Sequence, residues 1–134
     1  MIEAIDAQYR IPFPREQVYA AWVSSDTVIA PATAMDVLPE VPGHYRLFMR
    51  GDGFEARCEG AFELVEPGAR VRYSWEWNGD GEVTTIDVRF ADDADGTLVT
   101  LRHEGFAKAD SRSAHASGWD AYVEGFTAYL AAAG

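Results

Sequence analysis

The middle of the chain is a succession of short segments in which apolar and polar residues alternate. The alternation runs from residue 44 to residue 104 and is broken at turn-forming sequences such as Gly51-Asp52-Gly53 and Gly79-Asp80-Gly81. A period of two residues is typical of strands that bury one face, and short glycine-rich turns join antiparallel neighbours. This part of the chain is therefore predicted to form an antiparallel sheet, with strands over residues 44–50, 54–65, 69–78, 82–90 and 97–104.

The period changes once, after Gly105. Apolar residues then recur at spacings of three and four, which predicts an amphipathic helix that begins at Asp110 or Ser111 and ends near Ala132. The apolar face of this helix carries Trp119, Tyr122, Val123, Phe126 and Leu130. Two glycines within it, at positions 118 and 125, lower its helix propensity but permit other groups to approach closely.

The first forty residues predict a strand, two short helices and an irregular strand. Strand-forming residues run from Ile2 to Ile11, where prolines end the strand. A first short helix is predicted over residues 14–23. A second would be capped by one of residues 24–26 (Ser-Ser-Asp) and would end before Pro31. The irregular strand is predicted over residues 32–41.

Each predicted strand has one apolar face that must be covered, and the last helix is the only long amphipathic segment able to cover it. The sequence therefore predicts an α+β fold in which a curved antiparallel sheet of about six or seven strands wraps around the C-terminal helix. No repeat, low-complexity segment or linker interrupts the 134 residues, so we expect a single domain over residues 1–134.

The charge balance excludes several classes of partner. The chain has 11 Lys and Arg against 22 Asp and Glu, which gives a net charge of −11. Nucleic-acid binding needs basic residues to replace the counterions of phosphates, so a nucleic-acid partner is not expected, and docking on anionic lipid is disfavoured. No segment approaches the roughly 18 apolar residues that a membrane span needs.

Cysteine and histidine usage bears on location and on metals. Cys58 is the single cysteine, so no disulfide can form within the chain, and the three histidines are too dispersed for a zinc site. The first residues contain no apolar segment of the kind found in signal peptides. We expect a cytoplasmic protein without a metal or a cofactor.

Several short motifs, in order along nearly the whole chain, are similar to those of one known family. They are residues 11–22 (IPFPREQVYAAW), 42–45 (PGHY), 60–67 (GAFELVEP), 71–75 (VRYSW), 96–101 (GTLVTL), 103–106 (HEGF) and 118–119 (GW). The chain resembles the START-like, helix-grip (SRPBCC, Bet v 1-like) superfamily and, within it, the family of activator of Hsp90 ATPase homologue 1-like proteins. It departs from the family pattern at residues 27–31, where an aromatic residue is usual, and at Gly43-His44, where the family has a glycine pair.

The resemblance implies a cavity between the concave face of the sheet and the last helix, and the alternation predicts which side chains face it. The predicted ligand-binding residues are Tyr45, Leu47, Met49, Phe62, Tyr73, Trp75, Trp77, Ile86, Val88, Leu101, His103, Trp119, Val123 and Phe126, and Cys58, Phe90, Val99 and Tyr122 share their face. Such a lining suits a flat apolar or aromatic molecule that stacks on large rings. The alternative is that these side chains fill a solid core.

His103 is the one catalytic candidate. It lies on the predicted apolar face, and a histidine titrates near neutrality, so it could move a proton or bind a ligand. The preferred interpretation is a core or rim histidine that is bonded to the backbone. His44 and His115 are expected to be solvated. Cys58 is interpreted as a small buried hydrophobic residue.

The remaining polar residues do not suggest a catalytic group. Asp36, Glu59, Glu76, Asp87 and Glu104 are the strand carboxylates, and parity places the last four on the outer face, away from the cavity. Ser111 and Ser113 lie near His115 in sequence, but the chain has no nucleophile elbow of the Gly-x-Ser-x-Gly type. We therefore assign no catalytic residue.

Three functions are compatible with these observations. The first is binding of a hydrophobic or aromatic small molecule without built-in catalysis. The second is a polyketide cyclase-, aromatase- or hydratase-like enzyme of the same fold, in which the cavity orients the substrate. The third, which the family name suggests, is an Hsp90-type chaperone-associated interaction module, although we do not expect a chaperone partner. A homodimer is compatible with the size of the chain.

Overall fold

The computed structural model describes residues 2–133, in which seven strands form one antiparallel sheet and two helices pack on it. The elements are β1 (Ile5–Ile11), α1 (Arg15–Trp22), β2 (Ala34–Val37), β3 (His44–Gly51), β4 (Phe54–Glu66), β5 (Arg70–Trp77), β6 (Val83–Asp93), β7 (Gly96–Glu104) and α2 (Ala109–Ala133). The predicted α+β class, the antiparallel sheet and the long C-terminal helix are confirmed.

The strands follow the spatial order β1-β7-β6-β5-β4-β3-β2, and every neighbouring pair is antiparallel. Strands β2 to β7 therefore meander through successive hairpins, as the turn sequences predict. Strand β1 lies beside the last strand, with Ile5 opposite His103 and Ile11 opposite Thr97. The chain crosses from one edge of the sheet to the other between β1 and β2, and α1 lies in that crossing.

The prediction of a second short helix is wrong for residues 23–33, which form turns and extended backbone after α1. The hydroxyls expected to cap that helix serve the loop instead. Ser24 Oγ accepts a hydrogen bond from the backbone N–H of Asp26 at 3.1 Å, and Ser25 Oγ accepts one from the N–H of Val37 at 2.8 Å. Serine satisfies local backbone groups in turns as readily as at helix ends, so the same residues fix this loop against β2.

The core includes the residues that the C-terminal half of α2 packs against the sheet. Val123, Phe126 and Leu130, from the C-terminal half of α2, are buried against the sheet. Trp22, at the end of α1, is 1% exposed, and its ring lies 5.3 Å from that of Phe126 and 5.8 Å from that of Phe90 between centroids. Trp22 therefore closes the core at the point where α2 turns its smaller residues toward the sheet.

The outer face of the sheet is polar and is organised around Asp87. Its carboxylate accepts hydrogen bonds from Arg70 at 2.6 Å and from Arg72 at 3.0 Å, and Arg89 lies 3.7 Å away. Burial alone would raise the pKa of Asp87, but the two arginine hydrogen bonds hold that pKa below its ordinary value. Asp87 is thus the shared counterion of three arginines on β5 and β6.

We expect Asp87→Asn to lower the free energy of unfolding by about 1–2 kcal/mol at pH 7, because three guanidinium groups lose their shared counterion. Urea unfolding followed by circular dichroism measures this change. Since the folded pKa of Asp87 is depressed, its contribution in the wild type is complete above about pH 4 and is lost as the pH falls through the folded pKa. Glu55→Gln, which removes the exposed partner of Arg50, is the control and should leave the midpoint unchanged.

Candidate ligand-binding site

A cavity of about 510 Å³ lies between strands β3–β5 and the N-terminal half of α2. It is lined by Ile29, Ala30, Pro31, Tyr45, Leu47, Met49, Cys58, Tyr73, Trp75, Trp77, Asp80, Ser111, Ala114, His115, Gly118, Trp119, Ala121 and Tyr122. Tyr45 and Tyr73 are buried, whereas Trp77 and the small lining residues of α2 are exposed. The cavity therefore has a closed end at Tyr73 and opens to solvent beside Trp77 and along Ala114, Gly118 and Ala121.

The cavity exists because α2 presents small residues to it. Ala114, Gly118 and Ala121 are spaced four and three residues apart, so they share one helix face. A Cβ atom built on Gly118 would meet nothing within 4 Å. The aromatic side chains that follow on α2 fill the sheet's other end, so the gap is confined to the first half of the helix.

The loop before β2 closes one side of the cavity. Ile29 packs on α2 where the helix has a glycine, since a Cβ atom at Gly125 would lie 2.7 Å from Ile29 Cγ2. Ala30 and Pro31 continue this wall. This is the segment in which the sequence departs from the family pattern, and its short side chains leave room where an aromatic ring would project.

The opposite wall is a set of packed rings. Tyr45 and Tyr73 are stacked, with centroids 4.7 Å apart and an interplanar angle of 14°. Trp75 is tilted against Tyr45 at 5.9 Å. Offset stacked and tilted pairs are favourable arrangements of aromatic rings, so this wall is rigid without a ligand.

Three tyrosine hydroxyls come together at the closed end. The indole N–H of Trp22 donates to the Tyr73 hydroxyl at 3.4 Å, while the Tyr122 hydroxyl is buried and has no hydrogen-bond partner among residues 2–133. The Tyr45 hydroxyl lies beside that of Tyr122. Burial raises the pKa of each of these tyrosines, so all three are uncharged at neutral pH.

The open end is held by Glu82. Its carboxylate accepts hydrogen bonds from the backbone N–H groups of Ala107 at 2.7 Å and Lys108 at 3.1 Å, and from the hydroxyl of Ser111. The hydrogen bond from Ser111, followed by those from the backbone, lowers the pKa of Glu82. Glu82 therefore ties the β5–β6 hairpin to the start of α2 and fixes the mouth of the cavity.

His103 lies behind the cavity wall in a chain of hydrogen bonds. Trp119 Nε1 donates to His103 Nδ1 at 3.0 Å, and His103 Nε2 lies 2.6 Å from Thr84 Oγ1, which donates to the carbonyl oxygen of Trp75 at 3.1 Å. Because an indole N–H only donates, Nδ1 is the acceptor and Nε2 carries the proton. Both ring nitrogens are used, which leaves no free position for proton transfer to a ligand.

Burial, reinforced by neighbouring His115, lowers the pKa of His103 to about 3. The ring is fully buried, and it remains neutral over the physiological range. His103 consequently positions the Trp119 side chain from within the core.

The structure divides the predicted ligand-binding residues into two groups. Those that line the cavity are Tyr45, Leu47, Met49, Tyr73, Trp75, Trp77 and Trp119. Those that lie in the core instead are Phe62, Ile86, Val88, Leu101, His103, Val123 and Phe126. Alternation gave the correct face for both groups, but α1 and α2 pack on the part of that face occupied by the second group, with Trp22 against Phe126 and Trp119 against His103.

Other lining residues were not predicted from the sequence. The loop residues at 29–31 and the helix residues Ser111, Ala114, His115, Gly118 and Ala121 all contribute. Gly118 was the sequence signal from which the helix residues of the lining could have been predicted. A glycine inside a helix lowers helix propensity, so its presence indicates a packing or space requirement.

The candidate nucleophiles are not activated. Cys58 is 1% exposed, and burial raises the pKa of its thiol to about 12, so the thiol stays protonated. The Ser111 hydroxyl donates a hydrogen bond to the Glu82 carboxylate, and His115 Nδ1 lies 2.8 Å from the carbonyl oxygen of Ser111. His115, expected to be solvated, is half-buried against His103, with ring centroids 5.1 Å apart.

Among residues 2–133, no three or more His, Cys, Asp and Glu side chains are grouped so that they could hold a metal ion. Neither α1 nor α2 is long and apolar enough to span a bilayer.

The seven-stranded sheet, the long C-terminal helix and the cavity between them define a START-like protein of the helix-grip fold. The family model described as Activator of Hsp90 ATPase homolog 1-like protein matches residues 12–131, and the chain belongs to this family. A search of curated proteins gives no match.

Solved structures with this fold come from several bacteria. A protein of Rhodobacter sphaeroides superposes with a TM-score of 0.84 at 22% identity, over 98% of this chain and 93% of that one. An AHSA1-like protein of Aeromonas hydrophila gives 0.81 at 22% identity, over 98% and 94%. DynU16, from the dynemicin biosynthetic locus, gives 0.81 at 19% identity, over 97% of this chain and 48% of that chain. Because the sequence identities are low, these similarities show a shared fold and do not extend to function.

The neutral state of His103 predicts how stability depends on pH. Because the folded pKa of about 3 lies below the unfolded value of about 6.5, the unfolded chain binds the proton first, and stability is lost as the pH falls through this interval. We expect the wild type to lose about 1–2 kcal/mol from this group between pH 7 and pH 5 in urea unfolding.

His103→Gln, which does not titrate, should remove this part of the slope, whereas His44→Gln on β3 should retain it. An unchanged slope in His103→Gln would contradict the assignment of a neutral, proton-excluding histidine.

Proposed function

We propose that this protein binds a hydrophobic or aromatic small molecule in the cavity and performs no chemistry on it. The observation that carries the proposal is the gap beside Ala114, Gly118 and Ala121, which faces the rings of Tyr45, Tyr73 and Trp75. Its volume of about 510 Å³ lies within the range of about 300–1,000 Å³ usual for small-molecule sites. We also propose a cytoplasmic location, consistent with the unpaired, buried thiol of Cys58.

The distribution of acid and base groups supports binding over catalysis. His103 is neutral and uses both ring nitrogens, the Cys58 thiol is protonated, and Asp80 accepts a hydrogen bond from the backbone of its own turn. General acid–base catalysis needs a group that can gain or lose a proton beside the reacting atom. Apart from His115, whose Nδ1 lies 2.8 Å from the carbonyl oxygen of Ser111, the lining supplies apolar contact and hydroxyl groups without an acid–base pair.

An enzyme of the polyketide cyclase type is the second candidate. Members of this fold family bind ligands or act as polyketide cyclase-like proteins, and DynU16 belongs to a biosynthetic locus. The tyrosine hydroxyls at the closed end are the groups that would orient a substrate carbonyl in such a reaction. Incubation with aromatic polyketide precursors, analysed by mass spectrometry, tests this alternative, and conversion that Tyr122→Phe abolishes would favour it.

The chaperone-associated role rests on the family name. An Hsp90-type ATPase that co-purifies with this chain in stoichiometric amounts would support that role, and its absence from such a purification would count against it.

Filling the gap at Gly118 should abolish binding without unfolding the protein. In Gly118→Leu the new side chain projects into the cavity, while leucine is about 1 kcal/mol better than glycine inside a helix. We expect the dissociation constant for the neutral probe N-phenyl-1-naphthylamine, measured by its fluorescence, to rise at least tenfold, with no fall in the melting temperature.

Ser117→Leu, on the exposed side of the same helix turn, is the matched control and should bind the probe as the wild type does. Equal binding by Gly118→Leu would show that the probe binds elsewhere. No response of the wild type to this probe or to a panel of flat apolar compounds would argue against the proposed function.

A further inference from the structure

The closed end of the cavity differs chemically from the rest of its lining. Tyr73 and Tyr45, which are 1% and 3% exposed, bring their hydroxyls to this end together with that of Tyr122. Around them the walls are aromatic rings and short aliphatic side chains. The cavity is thus an apolar space with a polar floor.

The floor has unused hydrogen-bonding capacity. The Tyr122 hydroxyl is buried without a partner among the described residues, which is unfavourable for a polar group away from water. The Tyr73 oxygen accepts the indole N–H of Trp22, so the proton of Tyr73 remains available to an acceptor. A ligand oxygen placed here would complete the bonding of groups that the folded chain leaves incomplete.

We propose that the tyrosine floor binds a neutral oxygen, a hydroxyl or carbonyl group, and that the ligand is therefore an uncharged aromatic alcohol, phenol or ketone that enters oxygen first. This inference rests on the proposed function and specifies its ligand. The apolar body of the ligand then lies between Trp75 and the face of α2 that carries Ala114, Gly118 and Ala121.

The charges around the cavity disfavour an anionic ligand. None of the described lining residues is Lys or Arg, and Asp80 is one of the lining residues. The whole chain has a net charge of −11. Burial keeps the three tyrosines protonated, so they offer hydrogen bonds but no positive charge. A carboxylate on this floor would lose its hydration without gaining a counterion.

A matched ligand series tests the inference. Naphthalene, 2-naphthol and 2-naphthoate share one ring system and differ in the group that would reach the floor. Displacement of N-phenyl-1-naphthylamine gives their dissociation constants. We expect wild-type protein at pH 7 to bind 2-naphthol about fivefold (about 1 kcal/mol) more tightly than naphthalene, and to bind 2-naphthoate most weakly.

Tyr122→Phe should bring the ratio of the two neutral ligands to about one while leaving the affinity for naphthalene unchanged. The ring contact with Trp22, at 5.4 Å between centroids, does not involve the hydroxyl, so the variant should melt no lower than the wild type. Tyr129→Phe, two turns further along α2 and outside the cavity, should keep the preference for 2-naphthol. If Tyr122→Phe fails to fold, Tyr45→Phe replaces it with the same expected loss of preference.

The outcomes separate this inference from the proposed function. Equal binding of naphthalene and 2-naphthol by the wild type, or a preference that Tyr122→Phe retains, would overturn the tyrosine floor and leave the binding cavity in place. Strongest binding of 2-naphthoate would overturn it as well. Failure of the wild type to bind the fluorescent probe or any of the three ligands would overturn the proposed function itself.

Discussion

The molecule depends on how α2 meets the sheet: its C-terminal half packs tightly, and its N-terminal half does not. Phe126 and Leu130 are buried on the sheet, and Trp22 fills the space where that contact ends. Beyond Trp22, Trp119 still reaches His103 on β7, while Ala114, Gly118 and Ala121 line the cavity. A single amphipathic helix thereby serves as a core element at one end and as the wall of a cavity at the other.

The N-terminal half of α2 borders the cavity, with Ala116 and Trp119 packed on the core. Two polar contacts also fix its distance from the sheet. Trp119 is joined through His103 and Thr84 to the backbone of β5, and Glu82 caps the first turn of α2 from the hairpin after β5. Hydrogen bonds within a buried network are directional and are costly to break, so they hold a gap open where apolar contacts would close it.

The sequence predicted the fold well because the signals for strands and for the long helix are local and repetitive. The face of each strand follows from parity, so Tyr73 and Trp75 were correctly assigned to the concave side. Parity does not say which part of that side another element covers, and Leu101 and Phe126 were therefore assigned to the cavity although they lie in the core. That distinction depends on the position of Trp22, which is a tertiary contact.

Three other features were not predicted from the sequence, for a related reason. Ser24 and Ser25 have the composition of a helix cap, but their hydroxyls bind loop and strand backbone. The small residues on α2 were overlooked because the helix face was defined from its large apolar residues. The hydrogen bond of His103 to a tryptophan on another element likewise required the three-dimensional structure.

The small residues on α2 separate ligand preference from folding stability, two properties that usually oppose each other in a compact domain. Ala114, Gly118 and Ala121 line the cavity, and the buried residues that stabilise the sheet lie elsewhere. A substitution on this stripe changes the shape available to a ligand without creating a void in the core. The same scaffold can therefore acquire new ligand preferences through single changes on one helix, with its folding stability largely preserved.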